Sequence, residues 1–198
     1  AEIETFRYNE RDTNSLRKDF IASLLLDSKN RLWAGTFNGL IRINRNGDKV
    51  SFKSYSEEDG LSNNVVYEIV EDPTNGHLWL STNRGLSRFD PETENFWVFT
   101  SSDGLQSNEF NMNSAFAAKD GAFLFGCVNG ITTFDPDEIK PRDRAPKLHF
   151  KAIKTNKGKV IDLFYNELSS VQLLPGQSNF EVHFLAFDYA APDRINYA

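Results

Sequence analysis

The sequence predicts an all-β fold built from a repeated four-stranded antiparallel unit. Three observations carry that prediction. A hairpin signature, "WAGTFNGL" at Trp33–Leu40, returns as "WLSTNRGL" at Trp79–Leu86 and, more divergently, as "LFGCVNGI" at Leu124–Ile131. Its turn glycines, Gly39, Gly85 and Gly130, stand 46 and 45 positions apart. Aromatic residues make up 13% of the 198-residue chain, seventeen of them Phe, and aromatics favour half-buried pleated surfaces.

Taken in chain order, residues 1–20 read as the end of a preceding unit, because Leu16 lies 45 positions before Leu61. In the first unit Leu24, Leu26 and Asp27 match Ile69, Glu71 and Asp72 of the second, and Phe52 and Tyr55 match Phe96 and Phe99. Asp59-Gly60-Leu61 recurs as Asp103-Gly104-Leu105. The second unit displays its four strands most clearly. "VVYEIVED" ends at an Asn75-Gly76 turn, "HLWLST" follows, Asn83-Arg84-Gly85 turns into "LSRFD", and Asp90-Pro91 leads to "NFWVFT". Asn-Gly and Asp-Gly supply the positive φ angles that tight hairpins demand. Apolar spacing of three and four, the mark of a helical repeat, is missing from these segments.

Four strands in roughly forty-five residues is the arithmetic of a β-propeller blade. The third unit drifts: Phe123 and Phe125 bracket the tryptophan position, and no Asp-Gly-Leu turn follows "ITTFDP". Two full units, an incomplete third and a leading strand fall short of the roughly four to eight blades of a closed ring. Residues 1–138 are therefore expected to form a partial propeller, completed by further blades of a longer protein or by a partner chain.

Residues 139–146, "IKPRDRAP", are charged, proline-flanked and aperiodic, and read as a linker. Net charge is −7 over residues 1–145, with 16 basic and 23 acidic residues, and about neutral beyond. In residues 147–198 "LHFKAIK" alternates, Asn156-Lys157-Gly158 turns, and "NFEVHFLAFDY" alternates again with Phe180, Val182, Phe184 and Ala186 on one face. That pattern fits strands of an antiparallel sandwich. About four strands are expected there, too few to close one.

The overall charge of −6, with no lysine or arginine cluster, argues against nucleic acid as a partner. No apolar run approaches the ~18 residues of a membrane span, and "AEIETFRYNERD" is too polar for a signal peptide. Any membrane contact is thus expected through segments outside this chain. The single cysteine, Cys127, excludes an internal disulfide and a cysteine-based zinc site.

The unit "VxxIxEDxxxGxLWLSTxxGLxRFDPxTxxFxxFxxxDGLxxN" resembles the two-component-regulator propeller repeat. Gly121 to Ile139 resembles the last blade of such a propeller, and "NFEVHFLAFDYAAPDRINYA" resembles the start of the Y_Y_Y domain, the immunoglobulin-like module that follows. The resemblance implies the periplasmic sensor region of a hybrid two-component system. In that family propellers detect oligosaccharides and signal across the membrane to a histidine kinase fused to a response regulator. It implies an oligosaccharide partner, a homodimeric parent and no cofactor. Kinase and regulator parts are absent from this sequence, so signalling belongs to the parent protein.

No catalytic residues are assigned. His77, His149 and His183 are scattered without zinc spacing, and no G-x-S-x-G element marks a nucleophile. Glu57-Glu58-Asp59 and Asp135, Asp137 and Glu138 read more simply as solvated turns than as the two carboxylates of a glycosidase.

The candidate ligand residues follow from propeller geometry, in which the second hairpin of each blade shares a face with the inter-blade connections. That face would carry Phe37, Asn38, Asn83, Arg84 and Asn129 from the hairpins, and Asn63, Asn64, Asn108, Phe110, Asn111 and Asn113 from the connections. Amide and guanidinium groups with an aromatic plate are what a sugar needs. Asparagine in a tight turn also has a purely conformational use, so Phe37 and Arg84, which the turn does not demand, rank first. Trp33 and Trp79 read as packing between blades. Trp97, of opposite parity to Phe96 and Val98, reads either as an interaction surface or as packing beneath the next module. A structural propeller without a small ligand, and a propeller glycosidase, are the competing readings.

Overall fold

The structure is a computed structural model that describes residues 3–12, 15–16, 19–47, 49–139, 147–155, 160–162 and 179–187. The expected Asn156–Gly158 turn, linker positions 140–146 and the stretch from 188 onward lie outside the described residues. The chain divides into two units, Ala1–Pro141 and Arg142–Ala198. No helix of the described residues is long and apolar enough to cross a membrane.

The first unit holds three antiparallel sheets. Strands β1 (Ile21–Leu26), β2 (Leu32–Thr36), β3 (Gly39–Asn46) and β4 (Lys49–Tyr55) form the first, in sequence order. Strands β5 (Val66–Glu71), β6 (Leu78–Thr82), β7 (Gly85–Asp90) and β8 (Asn95–Phe99) repeat it. Strands β9 (Phe110–Ala117), β10 (Phe123–Cys127) and β11 (Gly130–Phe134) form a third, three-stranded sheet. These are the two full blades and the incomplete third expected from the repeat. A short 3₁₀ turn follows each full blade, at Glu57–Asp59 and Ser101–Asp103, and each ends on a left-handed glycine, Gly60 or Gly104.

Packing between blades holds the unit together. Trp33 and Leu40 of the first blade, both fully buried, lie in one cluster with Ile69, Leu78, Leu80 and Phe89 of the second. The ring of Phe89 stands edge-on to Trp33 at 5.6 Å and lies 4.9 Å from Tyr55. One blade later the arrangement recurs, with Trp79 and Leu86 clustered with Phe110, Phe123 and Phe125 of the third blade. The two tryptophans pack between blades, as their matching positions suggest. Ion pairs reinforce the first seam at its edge, Lys53 to Glu94 at 2.6 Å and Arg31 to Glu92 at 2.6 Å.

Each hairpin glycine is required by its backbone. Gly39 and Gly85 have φ of 112° and 98°, and a Cβ at either would collide with a backbone carbonyl, that of Tyr55 or of Phe99. Gly130 has φ of 124° but open space around it.

The second unit contains a three-stranded antiparallel sheet, in the order β13 (Val160–Asp162), β12 (Lys147–Thr155), β14 (Phe180–Phe187). Phe180, Val182 and Phe184 alternate along β14 as the sequence indicates, and Phe184 pairs across to Phe150. Three strands are described where about four were expected.

Two outcomes follow. Gly39→Ala should destabilise the first unit by about 2–4 kcal/mol, from positive φ plus the clash, whereas Gly130→Ala should cost about 1–2 kcal/mol, from φ alone; urea denaturation followed by tryptophan fluorescence measures both. The second concerns Asp27, whose buried carboxylate accepts from the indole Nε1–H of Trp33 at 2.9 Å and from Arg31 Nε at 2.6 Å. Burial pushes its pKa up, but these hydrogen bonds and the Arg31 charge outweigh it and hold the carboxyl below its ordinary value. A lowered folded pKa stabilises above the unfolded value of about 3.9 and is lost as pH falls through the folded value. Asp27→Asn should therefore flatten the loss of stability below about pH 4, read as the dependence of the urea midpoint on pH.

Candidate functional site

The face that carries the β2–β3 and β6–β7 hairpins is built by one device used twice. The hairpin Gly39 N–H donates to the carbonyl of Asn64 at 2.6 Å, and Gly85 N–H to that of Asn108 at 2.6 Å. Thr36 and Thr82 hydroxyls donate to the carbonyls of those same glycines at 2.9 and 2.8 Å. In the third blade the Cys127 thiol takes that role, 3.3 Å from the Gly130 carbonyl oxygen. The lone cysteine is thus a buried structural stand-in for threonine.

This geometry decides what several candidate residues do. Asn64 Oδ1 accepts from the backbone N–H of Glu57 at 2.9 Å, and Asn108 Oδ1 from that of Ser101 at 2.6 Å. Asn63 donates to Glu57 Oε1 at 3.1 Å and accepts from the Val65 N–H. All three tie the inter-blade connection to its 3₁₀ turn. Phe110 was expected on the rim, but it is 2% exposed and packs 6.1 Å from Phe125. It begins β9 and serves the core between blades, so it offers no plate to a ligand.

Other candidates stand at the surface. Phe37 is 41% exposed, and Asn83, Arg84, Asn111, Asn113 and Asn129 are exposed. Asn38 is half-buried, its N–H held by the Thr36 hydroxyl at 2.9 Å. Trp97 lies away from these tips on β8. It is half-buried, with the Arg88 guanidinium 4.6 Å from its ring centre and His77 stacked at 5.9 Å. Burial and the Arg88 charge push the His77 pKa down, against the pull of Asp90 and Asp72.

Two residues that sequence reasoning passed over complete the face. Each innermost strand carries a bulge near the hairpin end: Ala22 is the extra residue in β1, Tyr67 in β5, and residues 111–114 in β9 oppose a single residue of β10. A bulge breaks the alternation and re-aims the side chain it releases. The Tyr67 hydroxyl donates to Asn83 Oδ1 at 2.6 Å, and its ring stands edge-on to Phe37 at 6.0 Å. Phe20, just before β1, lies 4.3 Å from Phe37 and is 48% exposed. The repeat itself held the signal: Phe37, Asn83 and Val128 are the same position in three copies and differ in each.

On the inner strands, Glu68 accepts from the Asn113 N–H at 2.9 Å and so joins β5 to β9; burial pushes its pKa up despite that bond. Among the described residues no group of three or more His, Cys, Asp or Glu side chains is placed to hold a metal ion.

If Asn64 and Asn108 are clamps, Asn64→Ala should lower stability by about 1–2 kcal/mol, seen as a lower urea midpoint. Asn111→Ala, at an exposed position, should leave the midpoint within about 0.5 kcal/mol of the parent.

The family model for the two component regulator propeller matches residues 15–38 and 60–84. Histidine kinase P4 of Formosa agariphila is 30% identical over a match that covers 68% of this chain and 13% of that protein. Among solved structures, one named as the extracellular domain of a hybrid two component system from B. thetaiotaomicron superposes with a TM-score of 0.59 at 22% identity. That match covers 87% of this chain and 24% of the other. The chain therefore spans only a small part of the length of these relatives. Residues 15–38 and 60–84 are two-component regulator propeller repeats, and the first two blades of the chain are built on them.

Proposed function

We propose that this chain is part of the extracytoplasmic sensing region of a hybrid two-component histidine kinase, and that its hairpin face recognises an oligosaccharide. The observation that carries the reading is the contrast on that face. Residues that repeat between blades, such as Asn64 and Asn108, hold the connections in place, whereas residues that vary, such as Phe37 and Asn83, reach solvent or meet other rim side chains. A scaffold of constant clamps presenting variable aromatic and amide tips suits recognition rather than catalysis.

The repeats and the kinase relative support a sensor as the parent, and the extracellular placement of the structural neighbour supports a periplasmic setting. The second unit, on this reading, is the start of a Y_Y_Y module that passes the signal towards the membrane. The parent acts as a homodimer, and ligand moves its conformational equilibrium only as far as it binds one arrangement better than the other. Carbohydrate-utilisation genes are the output this reading expects.

Titration calorimetry of the 198-residue chain and of the parent ectodomain against a panel of plant, algal and host oligosaccharides tests the proposal. Saturable heat with at least one member is expected. Absence of heat from the ectodomain with every member would overturn the sensor reading in favour of a structural propeller, and release of reducing sugar would favour a glycosidase.

A further inference from the structure

The face described above holds a feature more specific than a set of variable tips. Three aromatic side chains meet there from separate elements: Phe20 before β1, Phe37 in the β2–β3 hairpin and Tyr67 from the bulge of β5. Phe37 touches both of the others, at 4.3 and 6.0 Å between ring centres. Although mutually packed, Phe20 and Phe37 remain 48% and 41% exposed. Tyr67 is fixed by its hydroxyl bond to Asn83 Oδ1, which orients that amide and leaves its Nδ2 as a donor at the edge of the aromatic surface. Aromatic faces beside an oriented amide match a pyranose ring, which has an apolar C–H face and hydroxyls around its rim.

Charge narrows the ligand. Among the described residues, the connections and turns around this face carry Asp19, Glu57, Glu58 and Glu109, all exposed, against the guanidinium of Arg84. Sulfated and uronate sugars would meet a net negative rim. We propose that Phe20, Phe37 and Tyr67, with the Asn83 amide, form a stacking platform for a neutral pyranose ring of the sensed oligosaccharide. This rests on the sensor reading above.

The platform separates from that reading by experiment. The probes are neutral tetrasaccharides (xylotetraose, mannotetraose and laminaritetraose) and, as charged counterparts, tetragalacturonate and a sulfated chondroitin tetrasaccharide, each titrated into the 198-residue chain by calorimetry. Binding of a neutral probe is expected, weakened on the order of tenfold by Phe37→Ala, which removes one plate. Tyr67→Phe keeps the ring but frees Asn83, and should weaken binding about fivefold. Phe37→Trp should retain it. The urea midpoints of these variants should stay close to the parent's, because Phe37 lies outside the buried clusters and Tyr67→Phe keeps the ring that packs against the second of them. Neutral binding unaffected by Phe37→Ala and Tyr67→Phe would overturn the platform while leaving the sensor reading intact. Binding confined to the charged probes would overturn the neutral-sugar assignment, and no binding by any probe would overturn the platform, leaving the sensor reading to the broader panel on the ectodomain.

Discussion

Every blade in this protein depends on its neighbour to bury one face. Trp33 and Leu40 are fully buried because the second blade covers them, and Trp79 and Leu86 because the third does. Ile131 occupies the position of Leu40 and Leu86 in the third copy and is 64% exposed. Leu24, the counterpart of the buried Ile69, is likewise 64% exposed. Burial is thus a property of the seam and not of the sheet. In such repeat architectures stability is carried by contacts between nearest neighbours, and a residue that serves a seam recurs where the next blade covers it, as Trp33 and Trp79 do.

That constraint explains how a rigid scaffold and a variable surface coexist. The seam tryptophans and the asparagine clamps recur in the first two blades, and the hairpin glycines in all three, because the seams and turns they serve recur there. The tips of the hairpins meet none of these demands. Their backbone is held from beneath by Thr36, Thr82 or Cys127, so their side chains can differ from blade to blade at little cost to the fold. Tyr67 adds a second source of variety. The bulge that releases it is common to the blades, while the side chain placed on the bulge is not.

The fold was largely legible because the repeat announces it: three hairpins at near-constant spacing, each with a glycine that no other residue can replace without strain at positive φ. Trp33 and Trp79 could be assigned to packing for the same reason, since they recur in register. The candidate site was less legible. Phe110 looked like an exposed plate because it stands in a segment of asparagines, but β9 starts with it and turns it into the core. Asn64 and Asn108 looked like ligand groups, although their recurrence 44 positions apart was the sign of a structural duty. Tyr67 was hidden by parity. Read as a regular strand, "VYEIVE" assigns its side chains to alternating faces, and only the bulge opposite Thr82 and Ser81 reveals that tyrosine turns towards the hairpins.

The central claim is that ligand recognition lives on the hairpin face and that the blade walls only support it. Amide hydrogen exchange across the chain, with and without a saturating bound oligosaccharide, tests this most directly. The account predicts added protection concentrated at residues 36–39, 66–68 and 82–85, with β4 and β8 unchanged. Protection centred on β8 and Trp97, with the hairpin tips unaffected, would contradict it.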